Sequence, residues 1–133
     1  MKLTGLTPNL ITNHIDRSLM FYRDVLGFSV TTTVPDAAPF VFVWLQRDGV
    51  NVFLNDAAAV HHETPGLVSA VVGQSGVMIF LLVEGVDEWW ARVKDAAPVV
   101  MPLKDQWYGM TEFSIADPDG YVITMAERRP VRE

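Results

Sequence analysis

Cysteine is absent from the chain, which excludes a disulfide framework, a thiolate metal site and a cysteine nucleophile. Basic residues are scarce too: Lys and Arg number 10 against 16 Asp and Glu, for a formal charge of -6. Phosphate binding needs clustered Lys and Arg, so nucleic acid is not the expected partner. A neutral or cationic small molecule suits the charge better. No apolar run approaches the ~20 residues of a membrane span. No basic segment followed by a long apolar core opens the sequence, so no secretory signal is read and a cytoplasmic protein is expected. A Gly-rich phosphate loop and a Gly-x-Ser-x-Gly nucleophile elbow are both missing. Apolar residues, by contrast, make up 50% of the 133 positions, ample for one compact domain or for two small modules sharing a core.

The chain repeats itself at an offset of 71 residues. Leu10-Ile11-Thr12 maps onto Leu81-Leu82-Val83, Ile15-Asp16 onto Val86-Asp87, and Asp48-Gly49 onto Asp119-Gly120, with no gap required. A fixed period signals one supersecondary unit used twice. In the first copy Thr7 to Thr12 is β-compatible, and Ile15, Leu19, Tyr22 and Leu26 mark one buried helix face. Asp16 and Ser18 favour helix initiation there, and Gly27 favours its end. Strands follow at 28–34, 40–45 and 50–54, the last two joined by the hairpin signal Asp48-Gly49. The second copy reads the same way: a strand at 77–83 and a helix face of Val86, Trp90, Val93 and Ala97. Its further strands fall at 99–103, 111–116 and 121–126, the last two joined at Asp119-Gly120. The expected fold is α+β, two tandem βαβββ modules at 1–55 and 76–128. Residues 56–75 are expected to link them, and the tail from Arg128 to fray. Each module leaves one sheet face uncovered by its helix. That face must be buried against the other module or a second chain, making a cup-like cleft and a homodimer the expectation. Pairing within one chain and swapping between two are both compatible with the linker length.

Asp16-Arg17-Ser18-Leu19-Met20-Phe21-Tyr22, Val25-Leu26-Gly27-Phe28, Tyr108-Gly109-Met110 and Asp117-Pro118-Asp119-Gly120-Tyr121 resemble the vicinal oxygen chelate superfamily. That superfamily includes glyoxalase I, extradiol dioxygenases, fosfomycin-resistance enzymes and bleomycin-resistance proteins. The resemblance covers nearly the whole chain and identifies the scaffold; function must be read from the residues lining it.

Metal-dependent members of that superfamily hold a divalent ion with His or Glu on the first and fourth strands of each module. The resemblance places those positions at Thr7, Phe53, Met78 and Thr124. None is a good ligand for a hard divalent ion. A shift of two residues, which keeps strand parity, brings in Asn9, Asn51, Asn55, Phe80, Val122 or Ala126, and still no His or Glu. His14 reads as a polar helix-entry residue. His61-His62-Glu63 is the one cluster of ligand-type residues, but neighbours in sequence point apart, and a solvated linker accounts for it. No metal and no cofactor are therefore expected, and no catalytic residue is assigned.

By strand alternation Phe40, Phe42 and Trp44 share one face and Val41, Val43 and Leu45 the other. Phe53 and Asn55 share a parity on the next strand, and Glu112 and Ser114 oppose Phe113 and Ile115. The connection Asp105 to Met110 carries Trp107 and Tyr108, a plausible stacking platform. Strand aromatics are core residues more often than ligand contacts, so packing is the simpler explanation of Phe40, Phe42 and Trp44. Of Trp89 and Trp90, the helical period turns Trp90 inward. Together these features give a metal-independent small-molecule binding protein, leaning away from enzyme. It resembles the bleomycin-resistance branch and would sequester an aromatic, neutral or cationic antibiotic through Phe42, Trp44, Phe53, Trp107, Tyr108 and Met110, with Glu112 as polar anchor. The alternatives are a metal-dependent lyase, isomerase or dioxygenase with atypical ligands, and a module whose aromatic surface contacts protein.

Overall fold

The computed structural model describes residues 1–64, 72 and 76–129. The connector at 65–71 and 73–75 and the tail from 130 lie outside the described residues. Two compact units divide the chain, Met1–Gly73 and Gln74–Glu133.

In the first unit, β1 (Asn9–Thr12) leads into α1 (Ile15–Met20), whose last turn widens into a π-helical turn, Phe21–Val25. β2 (Ser29–Val34), β3 (Phe42–Arg47) and β4 (Val50–Asp56) follow, then α2 (Ala57–Glu63). The sheet order is β1-β4-β3-β2, with β1 parallel to β4 and the other pairs antiparallel. The second unit repeats this plan with β5 (Ile79–Leu82), α3 (Val86–Val93), β6 (Val99–Asp105), β7 (Met110–Ala116) and β8 (Val122–Arg128), ordered β5-β8-β7-β6. The α+β architecture of two βαβββ units is the one the sequence pattern predicts.

The helical spacing of apolar residues fixes which face each helix buries. Ile15, Leu19, Tyr22 and Leu26 are all buried, as are Val43, Leu45, Val52 and Leu54 on the sheet. Each such side chain contributes ~1.5–3 kcal/mol relative to exposure. Tyr22 meets Phe21 and Phe28 edge-on. Gly27, at φ 74°, takes the chain out of the helix, and the N–H of Phe28 closes back on the Tyr22 carbonyl at 2.9 Å. In the second unit Val86, Val93, Phe113, Ile115, Ile123 and Met125 form the matching core, and Trp90 lies 5.2 Å from Phe113 between ring centroids.

Several local expectations need correction. Helix entry in the first unit is made by His14, without a side-chain cap. Asp16 lies in the first turn, and the Ser18 hydroxyl is bonded to Thr12 Oγ1 instead, tying α1 to β1. The stretch after residue 55 begins with helix α2, whose first turn is capped by Asp56 accepting from the Ala59 N–H. His61, His62 and Glu63 are exposed on its last turn. β3 starts at Phe42, so Phe40 stays in the preceding loop. β8 extends to Arg128, and Arg129 donates to the Gly109 carbonyl and pairs with Asp87, while the rest of the tail expected to fray lies outside the described residues.

The repeat is not gapless. Phe53 and Thr124 keep the offset of 71, but Trp44 faces Phe53 and Ser114 faces Thr124, an offset of 70 on the neighbouring strands. The hairpins account for the difference. Arg47 pairs with Val50 across Asp48-Gly49, whose φ values of 49° and 78° make a tight two-residue turn with both central residues left-handed. Ala116 instead pairs with Val122 across 117–121. That longer turn is organised by the buried Asp117, which accepts from the N–H groups of Asp119 and Tyr121, each at 2.9 Å.

Candidate functional site

The sheet faces turned away from the helix-packed cores carry all seven residues singled out for ligand binding, except those on the β6–β7 turn. In the first unit strand parity places Phe42, Trp44 and Gln46 beside Asn51, Phe53 and Asn55, with Asn9 and Ile11 on β1. The rings are in contact. Phe42 and Trp44 both meet Phe53 edge-on, at centroid distances of 5.2 and 5.7 Å. All three are half-buried. Amides border them: the Trp44 indole N–H donates to Asn51 Oδ1 at 2.8 Å, Gln46 donates to the same oxygen at 3.1 Å, and Asn55 donates to Asn9. The arrangement leaves aromatic surface partly open beside polar groups whose orientation is fixed.

The second unit has different chemistry at the same places. Ser114 and Thr124, both buried, share a hydrogen bond of 2.7 Å. Glu112, 5% exposed, lies in a cross-strand row with Ala126 and Lys104. The connection bearing Trp107 and Tyr108 is shorter than the sequence suggests, because β6 runs on to Asp105 and β7 begins at Met110. Only a tight turn of 106–109 remains, closed by the Gln106 N–H on the Met110 carbonyl at 2.7 Å. This turn brings two side chains onto Glu112 Oε1, the Gln106 amide at 3.2 Å and the Tyr108 hydroxyl. The carboxylate at Tyr108's hydroxyl raises that phenol above the ordinary tyrosine value, since the bond favours the protonated form. Trp107 meets the Tyr108 ring edge-on at 5.3 Å and is 88% exposed. Met110, expected at the ligand surface, is instead a buried residue of β7.

Two clusters thus stand in place of one list: Phe42, Trp44 and Phe53 in the first unit, and Trp107, Tyr108 and Glu112 in the second. Sequence reasoning missed Gln106 and the Ser114–Thr124 pair. Gln106 sits two positions before Tyr108, and only the tight turn reveals that both reach Glu112. It also left Asn51 without its role of orienting Trp44. Exposed Phe80 and Leu82 on β5 lie in the rows of Thr124 and Ala126. A separate cavity of about 530 Å³ opens at the start of α1, lined by Asn13, His14, Asp16, Pro39, Phe40 and Asp56 among others, and holds none of the seven.

The strand register also relocates two of the metal-ligand positions. Asn9, not Thr7, lies beside Phe53, and Phe80, not Met78, lies beside Thr124. Phe53 and Phe80 have no donor atom, the Asn9 amide oxygen accepts from Asn55, and Thr124 is bonded to Ser114. These side chains do not fit a hard divalent ion. Among the described residues no three His, Cys, Asp or Glu side chains converge elsewhere. No helix among them is long and apolar enough to cross a membrane.

Comparison with known proteins places this scaffold. A bleomycin resistance protein from Geobacillus stearothermophilus is 28% identical over 132 residues, covering 91% of this chain and 94% of its own. A solved Agrobacterium tumefaciens protein of unknown function superposes with a TM-score of 0.80 at 22% identity, covering 96% of this chain and 95% of that one. TioX from Micromonospora sp. ML1 superposes with a TM-score of 0.77 at 21% identity, over 94% and 98% of the two chains. At those identities the superpositions show the fold alone. The family model matches residues 6–125, and the chain belongs to the Glyoxalase/Bleomycin resistance protein/Dioxygenase superfamily.

Proposed function

We propose that the chain is a metal-independent binding protein for a small aromatic molecule, acting by sequestration and not by turnover. The observation that carries this reading is the contacting aromatic surface on the non-helical side of the first sheet, Phe42, Trp44 and Phe53. The exposed Trp107–Tyr108 pair of the second unit supports it. Flat ring systems gain both area burial and edge or face contacts on such surfaces. The bleomycin resistance relative makes a flat heterocyclic antibiotic the natural first ligand class, and the acidic charge of the chain favours a neutral or cationic one.

Thermal unfolding of chelator-treated protein with and without metal-free bleomycin tests the reading. Binding to the native state alone raises the melting temperature with ligand concentration, and a rise without added metal is expected. No rise, or one that requires added Mn or Zn, overturns it. The same reading has two copies associate in the cytoplasm, the exposed Phe80 and Leu82 on β5 and Met78 just before it supplying apolar surface for the second copy. Sedimentation of wild type against Phe80→Asp checks this, a monomeric wild type being the contrary result.

A further inference from the structure

Glu112 is buried, yet only half of its carboxylate is accounted for. Oε1 accepts from both Tyr108 and Gln106, whereas Oε2 has no partner among the described residues. The cross-strand neighbour Lys104 is exposed and makes no bond to it, and the Ser114 and Thr124 hydroxyls are engaged with each other. An unmade hydrogen bond at a buried carboxylate oxygen is costly, and nothing in the fold of this unit requires it. Core packing alone is served equally well by an apolar residue at this position.

We infer that Glu112 Oε2 is the recognition point for a protonated nitrogen carried beside a flat ring, such as an amine or guanidinium on an aromatic ligand. This rests on the small-molecule reading above and names the ligand chemistry within it. The parts are adjacent. Tyr108 spans from the surface, where it is 47% exposed, to the carboxylate, and Trp107 presents an open ring against it. Oε2 is itself closed to water, so in this proposal a cationic arm on a ring stacked against Trp107 passes the Tyr108 side chain to reach it. Gln106 and Tyr108 hold the carboxylate in place by occupying its other oxygen, leaving Oε2 for the incoming N–H. A charge-assisted bond of this kind is about twice as strong as a neutral one, and the net charge of the chain draws cations in.

Tryptamine and tryptophol separate the two ideas, because they share a ring and chain length and differ in ammonium against hydroxyl. Calorimetric titration of wild type should show tryptamine binding about tenfold more tightly. Glu112→Gln should remove that preference by weakening tryptamine far more than tryptophol, while Trp107→Ala weakens both probes. Should Glu112→Gln not fold, the exposed Lys104→Met decides: removal of the neighbouring positive charge should widen the preference for tryptamine. Equal affinities in wild type, or a preference unmoved by either substitution, overturn the inference and leave aromatic binding standing. Failure of wild type to bind either probe overturns both.

Discussion

β3 and β7 occupy the same place in the two halves and face water differently. β3 alternates, with Val43 and Leu45 fully buried and Phe42, Trp44 and Gln46 partly open; every residue of β7 from Met110 to Ile115 is buried, including Thr111, Glu112 and Ser114. Toward the helices the two strands are interchangeable, carrying aliphatic and aromatic core. On the other side one offers rings bordered by amides, and the other a carboxylate and hydroxyls that must find hydrogen bonds because they are buried. The duplicated unit has kept its packing face and diverged on its other face. The proposed binding surface lies on that other face.

If the packing faces are equivalent, they should be equally costly to damage. Phe113→Ala, at a fully buried position against Trp90, is expected to lose ~3–5 kcal/mol, and Leu45→Ala in the first unit ~2–5 kcal/mol, by urea unfolding. A loss under 1 kcal/mol at either would break the equivalence. The non-helical faces should respond unequally. Thr124→Val strands the buried Ser114 hydroxyl and should cost ~1–3 kcal/mol. Trp44→Phe removes a half-buried indole N–H bond to Asn51 and should cost ~1 kcal/mol or less; the reverse order would contradict the division into a polar and an aromatic half.

Smaller effects follow from two titrating groups of the second unit. The bond to Glu112 raises Tyr108, so its stabilising contribution is complete below the ordinary tyrosine value and is lost as pH rises through the raised one. Glu112→Gln should shift a phenolate absorbance titration toward lower pH, an effect absent in Tyr108→Phe. Glu127 is lowered, first because its carboxylate accepts the Val86 N–H at the start of α3, at 2.9 Å. Its contribution is present above the ordinary glutamate value and is lost as pH falls through the lowered one. Glu127→Gln should flatten the acid limb of a stability-against-pH curve, and an unchanged limb would argue against this cap.

The packing half of the fold is legible in the sequence because 3.6-residue and two-residue periods report burial directly. Ile15, Leu19, Tyr22 and Leu26, or Val43 and Leu45, need no further context. The site was legible in part. Phe42, Trp44 and Phe53 share a face by parity alone, and they do meet. The place of Met110 was hidden because pairing of Asp105 with Thr111 shortens the β6–β7 connection and draws Met110 into the strand. Gln106 was missed for the same reason: a tight turn folds it back onto a residue six positions away. The one-residue slip between the halves was hidden because Asp48-Gly49 and Asp119-Gly120 look alike as dipeptides. One is the whole turn, while the other lies within a longer loop held by Asp117.

We propose that ligand binding resides in the aromatic side chains outside the helix-packed cores. Calorimetric titration of chelator-treated wild type and a Trp44→Ala/Trp107→Ala double variant with metal-free bleomycin decides this. Saturable binding by wild type and at least a tenfold loss in a double variant that remains folded are expected. Absence of binding by wild type, or equal binding by both proteins, would contradict it.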